Sequence, residues 1–234
     1  ITLATFARLA LQGSELLERF YGFMIRLISL LSIPLYAFLL FNGGSVLLVL
    51  YSSRYVAAAS LIQGIAGFRI VSRLFGGSEN AEYLLSRSQV SRLVGIGIVG
   101  AIVNVGLDLL LIPNMGAMGA VVGSGCGNLT VNLLGAIAVY RLSSAKMQWQ
   151  FWLKVSCATC AASLLCNVLL PPDNLAMIIV QVFAYASLTI ILLFIIKPLT
   201  AGDREWLSKV DNRFAASLGH FARTGSAIPS VNPT

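Results

Sequence analysis

Charge is scarce in this sequence, and histidine more so. Charged residues make up 11% of the 234 positions, divided between 16 Lys and Arg, nine acidic residues and one His. A soluble domain carries about a quarter charged residues. Hydrophobic residues reach 57%, and the mean hydropathy of +0.85 leaves too little polar surface to coat a body in water. The apolar surface is therefore expected to face lipid. The formal charge of +7 does not read as a nucleic-acid footprint, because the basic residues are spread between apolar runs.

The same shortages argue against catalysis. His220 lies in the C-terminal tail, and no span or loop offers a carboxylate pair, a nucleophile beside a base, or a metal cluster. Of the four cysteines, Cys126, Cys157, Cys160 and Cys166, the middle two have C-x-x-C spacing. They sit in an apolar run with no second pair and no nearby His, so they read as small helix-packing residues. Ile1 opens the chain with no basic n-region, short apolar stretch and cleavage site after it, so no signal peptide is read.

What is abundant is long apolar runs. A membrane helix needs ~20 mostly apolar residues. Six segments qualify: Tyr21 to Phe41, Tyr55 to Phe75, Leu93 to Ile112, Ala117 to Tyr140, Trp152 to Leu170 and Leu175 to Ile196. Asn42-Gly43-Gly44, Gly76-Gly77-Ser78, Pro113-Asn114 and Pro171-Pro172-Asp173-Asn174 read as breaks between them. The expectation is an all-α polytopic membrane helix bundle with six transmembrane helices over 21–196.

Residues 1–20 read as an amphipathic helix at the surface or the end of a preceding span. Arg8, Glu15, Glu18 and Arg19 there alternate with Leu9, Leu16 and Leu17. Residues 197–223 read as a second amphipathic helix, capped by Asp203, with Trp206, Leu207, Val210, Phe214, Leu218 and Phe221 on one face. Residues 224–234 are rich in Ser, Pro, Gly and Asn and read as disordered. Alternate connections carry nearly all the positive charge: Arg8 and Arg19, Arg87 and Arg92, Arg141 and Lys146, then the tail from Lys197. The opposite side holds Arg54. The positive-inside rule puts both termini in the cytoplasm.

Polar groups inside a bilayer are costly and are candidates for function. Arg26 lies in the inner third of the first span. Arg69 and Arg73 lie in the inner half of the second, four apart and so on one helical face. Guanidinium groups facing a shared cavity would bind phosphate in a bidentate manner; near the edge they could equally snorkel to lipid. Asn104 and Asp108 repeat the spacing of four in the third span. Asp108 is read as the one acidic residue within any span and as a candidate for coupling to H+ or Na+; its nearness to the outer end also allows it simply to reach water. Asn128 and Asn132, near Gly119, Gly123, Gly125 and Gly127, suit either a cavity wall or helix packing, and Gln63 and Gln181 are weaker cases of the same kind. Pro34 is expected to kink the first span, as a hinge or as a static bend.

The segment from Asn104 to Ala120, N-V-G-L-D-L-L-L-I-P-N-M-G-A-M-G-A, resembles Wzx-type polysaccharide flippases of the MOP exporter superfamily. There an Asn-bearing helix ends in Leu-Ile-Pro and a Gly-Ala-x-Gly-Ala turn starts the next. The helix at Arg8 to Arg19 before the Pro34 span, Leu50-Tyr51 followed by Arg54-Tyr55-Val56-Ala57-Ala58-Ala59, and the ending Pro198-Leu199-Thr200-Ala201-Gly202-Asp203-Arg204-Glu205 are similar in the same order, with Ser52 where the family usually has Gly.

The resemblance spans about Ile1 to Leu207 and implies a MATE/MOP-like fold in which these six spans match the last six of a fourteen-span member. It implies an inner-membrane flippase that moves polyprenyl-pyrophosphate-linked oligosaccharide through a hydrophilic cavity for O-antigen, capsule or exopolysaccharide synthesis. Expected partners are membrane lipid, that glycan and polysaccharide assembly proteins, not nucleic acid. No resident cofactor or metal is expected. The assignment of Arg26, Arg69, Arg73, Gln63, Asn104, Asn128 and Asn132 to the cavity rests on their polarity and depth, not on a family motif. The alternatives are a MATE-like cation-coupled antiporter of small molecules and an accessory half-transporter. A membrane-embedded glycan polymerase or ligase would need a large external loop with catalytic residues.

Overall fold

The computed structural model describes residues 2–51, 53–144, 147, 149–171, 174–197 and 203. Lys146, the tail helix expected around Trp206 to Phe221, His220, most of the ending from Pro198, and residues 224–234 lie outside them. Among the described residues there are eight α-helices: α1 (Thr2–Gln12), α2 (Ser14–Tyr51), α3 (Ala59–Ser72), α4 (Ser78–Ser86), α5 (Val90–Met115), α6 (Ala117–Leu142), α7 (Trp149–Leu169) and α8 (Leu175–Ile196). Short 3₁₀ segments, Ser53–Ala58 and Arg73–Phe75, flank α3. Six runs are long and apolar enough to cross a membrane: α2, Arg54–Ser86, α5, α6, α7 and α8. The fold is an all-α polytopic bundle.

The distribution of polarity is that of a body solvated by lipid. Asn42, Ser72, Glu79, Asn80, Ser163 and Gln181 are buried, whereas Leu109 is 73% and Phe183 70% exposed. In water that arrangement would leave large apolar patches uncovered. In hydrocarbon, exposed Leu and Phe cost nothing, and polar side chains gather where they can bond one another.

Helix α2 is the hub. It is 38 residues long and packs against α1, α3, α7 and α8. The break ahead of it falls at Gly13, whose φ of +143° favours glycine. Helix α1 then folds back, placing Phe6 edge-on to Phe20 with ring centroids 4.9 Å apart. At its other end α2 departs from the sequence reading, because Asn42-Gly43-Gly44 does not break the helix. A Cβ on Gly43 would lie 3.1 Å from Cγ2 of Ile62, and one on Gly44 3.4 Å from Cβ of Ala59. These glycines admit α3 at close range, which is how small residues serve in lipid.

Helices α5 and α6 form a hairpin turned at Gly116, with φ +56°. Pro113 lies inside α5, not beyond it. Gly119, Gly123 and Gly127, spaced by four, make a ridge along α6 that receives α5. A Cβ on Gly119 would meet the Leu111–Ile112 backbone at 2.5–2.7 Å, and one on Gly127 would meet Cβ of Asn104 at 2.8 Å. Helix α4 lies between two of the expected spans, just after the break read at Gly76-Gly77-Ser78. It forms because Gly76, with φ +86°, turns the chain and Glu79 enters the first turn, where a carboxylate favours the helix dipole. Asn174 caps α8 by accepting from the Met177 amide at 2.9 Å.

Candidate functional site

The three arginines of the first two spans have separate surroundings. Arg26 donates from Nε to Oδ2 of Asp203 at 2.8 Å and from Nη2 to Oδ1, and Asp203 is fully buried. The expected capping residue of the tail is thus an ion-pair partner of α2. Arg73 donates to both oxygens of Glu79, at 2.8 Å and 3.3 Å, and Glu79 is also fully buried. Glu79 reaches Arg73 from helix α4, beyond the turn at Gly76.

Arg69 differs. It is exposed and has no ion-pair partner among the described residues. It lines a pocket between α3 and α6 with Ser72, Ser124 and Asn128. The pocket is small, about 40 Å³. A water needs ~10–15 Å³ of such space, so the pocket takes a few small polar groups and not a sugar ring. Gly125 of α6 holds the ring of Phe68 against its backbone, closing the apolar side of the pocket. Asn128 donates to the Ser124 carbonyl at 2.8 Å. Arg26 and Arg73 are not in this pocket.

Asn132 belongs to a second set of contacts deeper in the bundle. Its amide donates to Oγ of Ser72, and its backbone carbonyl accepts from Asn80 at 3.2 Å. Asn80 also donates to the Phe75 carbonyl at 2.8 Å and accepts from the Tyr21 hydroxyl at 2.6 Å. Trp152 of α7 donates to the Ile70 carbonyl at 2.7 Å. These bonds fasten α2, α3, α4, α6 and α7 together around the Arg73–Glu79 pair, and Asn132 thus joins helices instead of lining open space.

A third polar cluster ties the far half of α2 to α7 and α8. Gln181 donates to Oδ1 of Asn42 at 2.8 Å, and Asn42 donates to Oγ of Ser163 at 3.1 Å. The Tyr185 hydroxyl donates to the Pro34 carbonyl at 2.7 Å. Pro34 supplies no amide hydrogen to its helix. The Tyr185 bond ties α8 to α2 at the proline itself, one turn past the carbonyl of Leu30 that the missing amide leaves unbonded.

Asn104 and Asp108 face the glycine ridge of α6. A Cβ on Gly123 would collide with Oδ1 of Asp108. Both Asn104 Oδ1 and Asp108 Oδ1 are buried without a hydrogen-bond donor. Two buried acceptor oxygens one turn apart, with no donor among the described residues, are open to a cationic partner. Gln63 packs beside Gly43 and is half-buried.

Glu79, Asn80, Asn42, Ser163 and Asp203 were not singled out as site residues from the sequence. Glu79 had a local signal, lying six residues from Arg73 across a Gly-Gly turn. Asp203 had none, since its partner is 177 residues away. No protein-family model, curated protein or solved structure matches this chain.

Proposed function

We propose that this chain is the C-terminal portion of a Wzx-type flippase that moves polyprenyl-pyrophosphate-linked oligosaccharide across the bacterial inner membrane, with both termini in the cytoplasm. The observation that carries the reading is the state of Arg69. Of the three arginines in the first two spans it is the one left without an acid among the described residues, beside two hydroxyls and an amide. A guanidinium in that setting takes a phosphate oxygen. Arg26 and Arg73 act instead as structural partners of Asp203 and Glu79. The protein moves its substrate without chemical change, and so is a transporter and not an enzyme.

Asp108 is the proposed coupling group for H+ or Na+, supported by its unpartnered buried oxygen beside that of Asn104. The same observation favours the second reading, a MATE-like antiporter that exports small molecules against a cation. Substrate charge separates the two. Arg69→Ala in the full-length protein should impair export of surface glycan while leaving the folded protein in the membrane. Undiminished export by Arg69→Ala, alone and combined with Ser124→Ala and Asn128→Ala, would sink the anion pocket. Loss of drug-like cation export in the Asp108→Asn variant, with glycan export intact, would favour the antiporter.

A further inference from the structure

A groove distinct from the Arg69 pocket opens at the basic end of the α5–α6 hairpin. The two helices are in contact along the glycine ridge as far as Gly127, where a Cβ on the facing Gly100 would collide with Val131. Beyond that point a groove of about 510 Å³ lies between the helices, to which α6 contributes Leu134, Ile137, Ala138 and Arg141. Its volume is within the ~300–1,000 Å³ range of ligand-sized cavities. Ile96, Val99, Leu134 and Ile137 line it together with Arg92 and Arg141, one arginine from each helix. Both arginines are exposed, and neither has an acidic partner among the described residues.

From this charge complementarity we infer that the groove is a binding site for one anionic phospholipid, its phosphate held between Arg92 and Arg141 and an acyl chain lying along Ile96, Val99, Leu134 and Ile137. Two guanidinium groups on neighbouring helices match a phosphate, and the apolar walls below them match the chain attached to it. The remaining lipid-facing surface of α5, with Val94, Ile98, Ile102 and Leu109 exposed, carries no charge to select a headgroup. Gly95 contributes the opening itself, because a Cβ placed there would meet nothing within 4 Å. The site does not depend on what the protein transports.

The test is native mass spectrometry of the purified full-length protein, titrated with phosphatidylglycerol or with phosphatidylcholine of the same acyl chains. Wild type should retain a phosphatidylglycerol adduct at concentrations where phosphatidylcholine gives none. Arg92→Gln with Arg141→Gln should weaken it about thirtyfold, at roughly fivefold per basic residue. Gly95→Leu fills the groove without altering charge and should also abolish the adduct, which keeps the test valid should the double variant misfold. Arg8→Gln with Arg54→Gln, outside the groove, should bind as wild type does. Equal binding of phosphatidylcholine, wild-type affinity in either groove variant, or absence of any adduct from wild type would overturn the proposal. So would competition by inorganic phosphate at the lipid's own concentration, which would mark a site for free anions.

Discussion

Arg26 and Asp203 form a two-point ion pair between the first spanning helix and a residue 177 positions further along the chain, with the Arg26 side chain 12% and the Asp203 side chain 1% exposed. An ion pair shielded to this degree is worth little compared with an apolar pair of the same shape. Breaking it from one side, however, strands a charge.

Asp203→Leu or Arg26→Met alone should each lower stability by about 3 kcal/mol or more. Arg26→Met with Asp203→Leu should recover most of that loss. Thermal unfolding of the four proteins in one detergent measures the coupling. Additive losses in the double variant would show that the pair does not act as a unit.

The hairpin of α5 and α6 makes a second prediction. Gly119→Ala drives a methyl group into the Leu111–Ile112 backbone, which cannot yield as a side-chain tip can. The cost should be roughly 1–3 kcal/mol. Gly106→Ala in the same hairpin meets nothing within 4 Å and should be neutral or stabilising by about 0.5 kcal/mol. Equal effects of the two, read by unfolding in detergent, would mean that the ridge does not set the helix separation.

For the cluster on α7 and α8, Gln181→Leu removes the donor to Asn42, and Tyr185→Phe removes the donor to the Pro34 carbonyl. Each should cost about 1 kcal/mol, the scale of interhelical hydrogen bonds in lipid. A double-mutant cycle of Gln181 with Asn42 should show coupling of similar size, and a cycle of Gln181 with the distant Trp152 should show none.

Orientation is open to direct labelling in a cysteine-free background. Ser144 and Pro171 are exposed at opposite ends of α7. With cytoplasmic termini, Pro171→Cys should react with an impermeant maleimide in intact spheroplasts, and Ser144→Cys only after the membrane is opened. The reverse pattern would invert the proposed topology.

The apolar runs were legible because hydrocarbon imposes a length and a composition that few other settings share. Leu175 and Ile196 bound α8 as expected, and α6 begins at Ala117 as expected. The misreadings have physical causes. Gly43 and Gly44 break helices in water, but here they make room for Ile62 and Ala59. Helix α4 was obscured because Glu79, Asn80 and Glu82 look like loop composition, whereas Glu79 and Asn80 are buried and bonded. Among the candidate site residues, the one-face spacing of Asn104 and Asp108 was readable, and both face α6. What no local pattern could reveal was which arginine had a partner. Arg26 and Arg69 look alike in sequence and differ only because the folded chain brings Asp203 to the first.

The 38 residues of α2 run without interruption. At about 1.5 Å per residue the helix is roughly 57 Å long, nearly twice a ~30 Å hydrocarbon core. A rod of that length held near its middle is a lever with two arms. A tilt of about 10° moves each end by roughly 5 Å, and in opposite directions. One arm carries Arg26, Asp203 and α1, and the other carries Asn42 with its bonds to Ser163 of α7 and Gln181 of α8. A rigid tilt of α2 would therefore carry the contacts at its two ends in opposite directions.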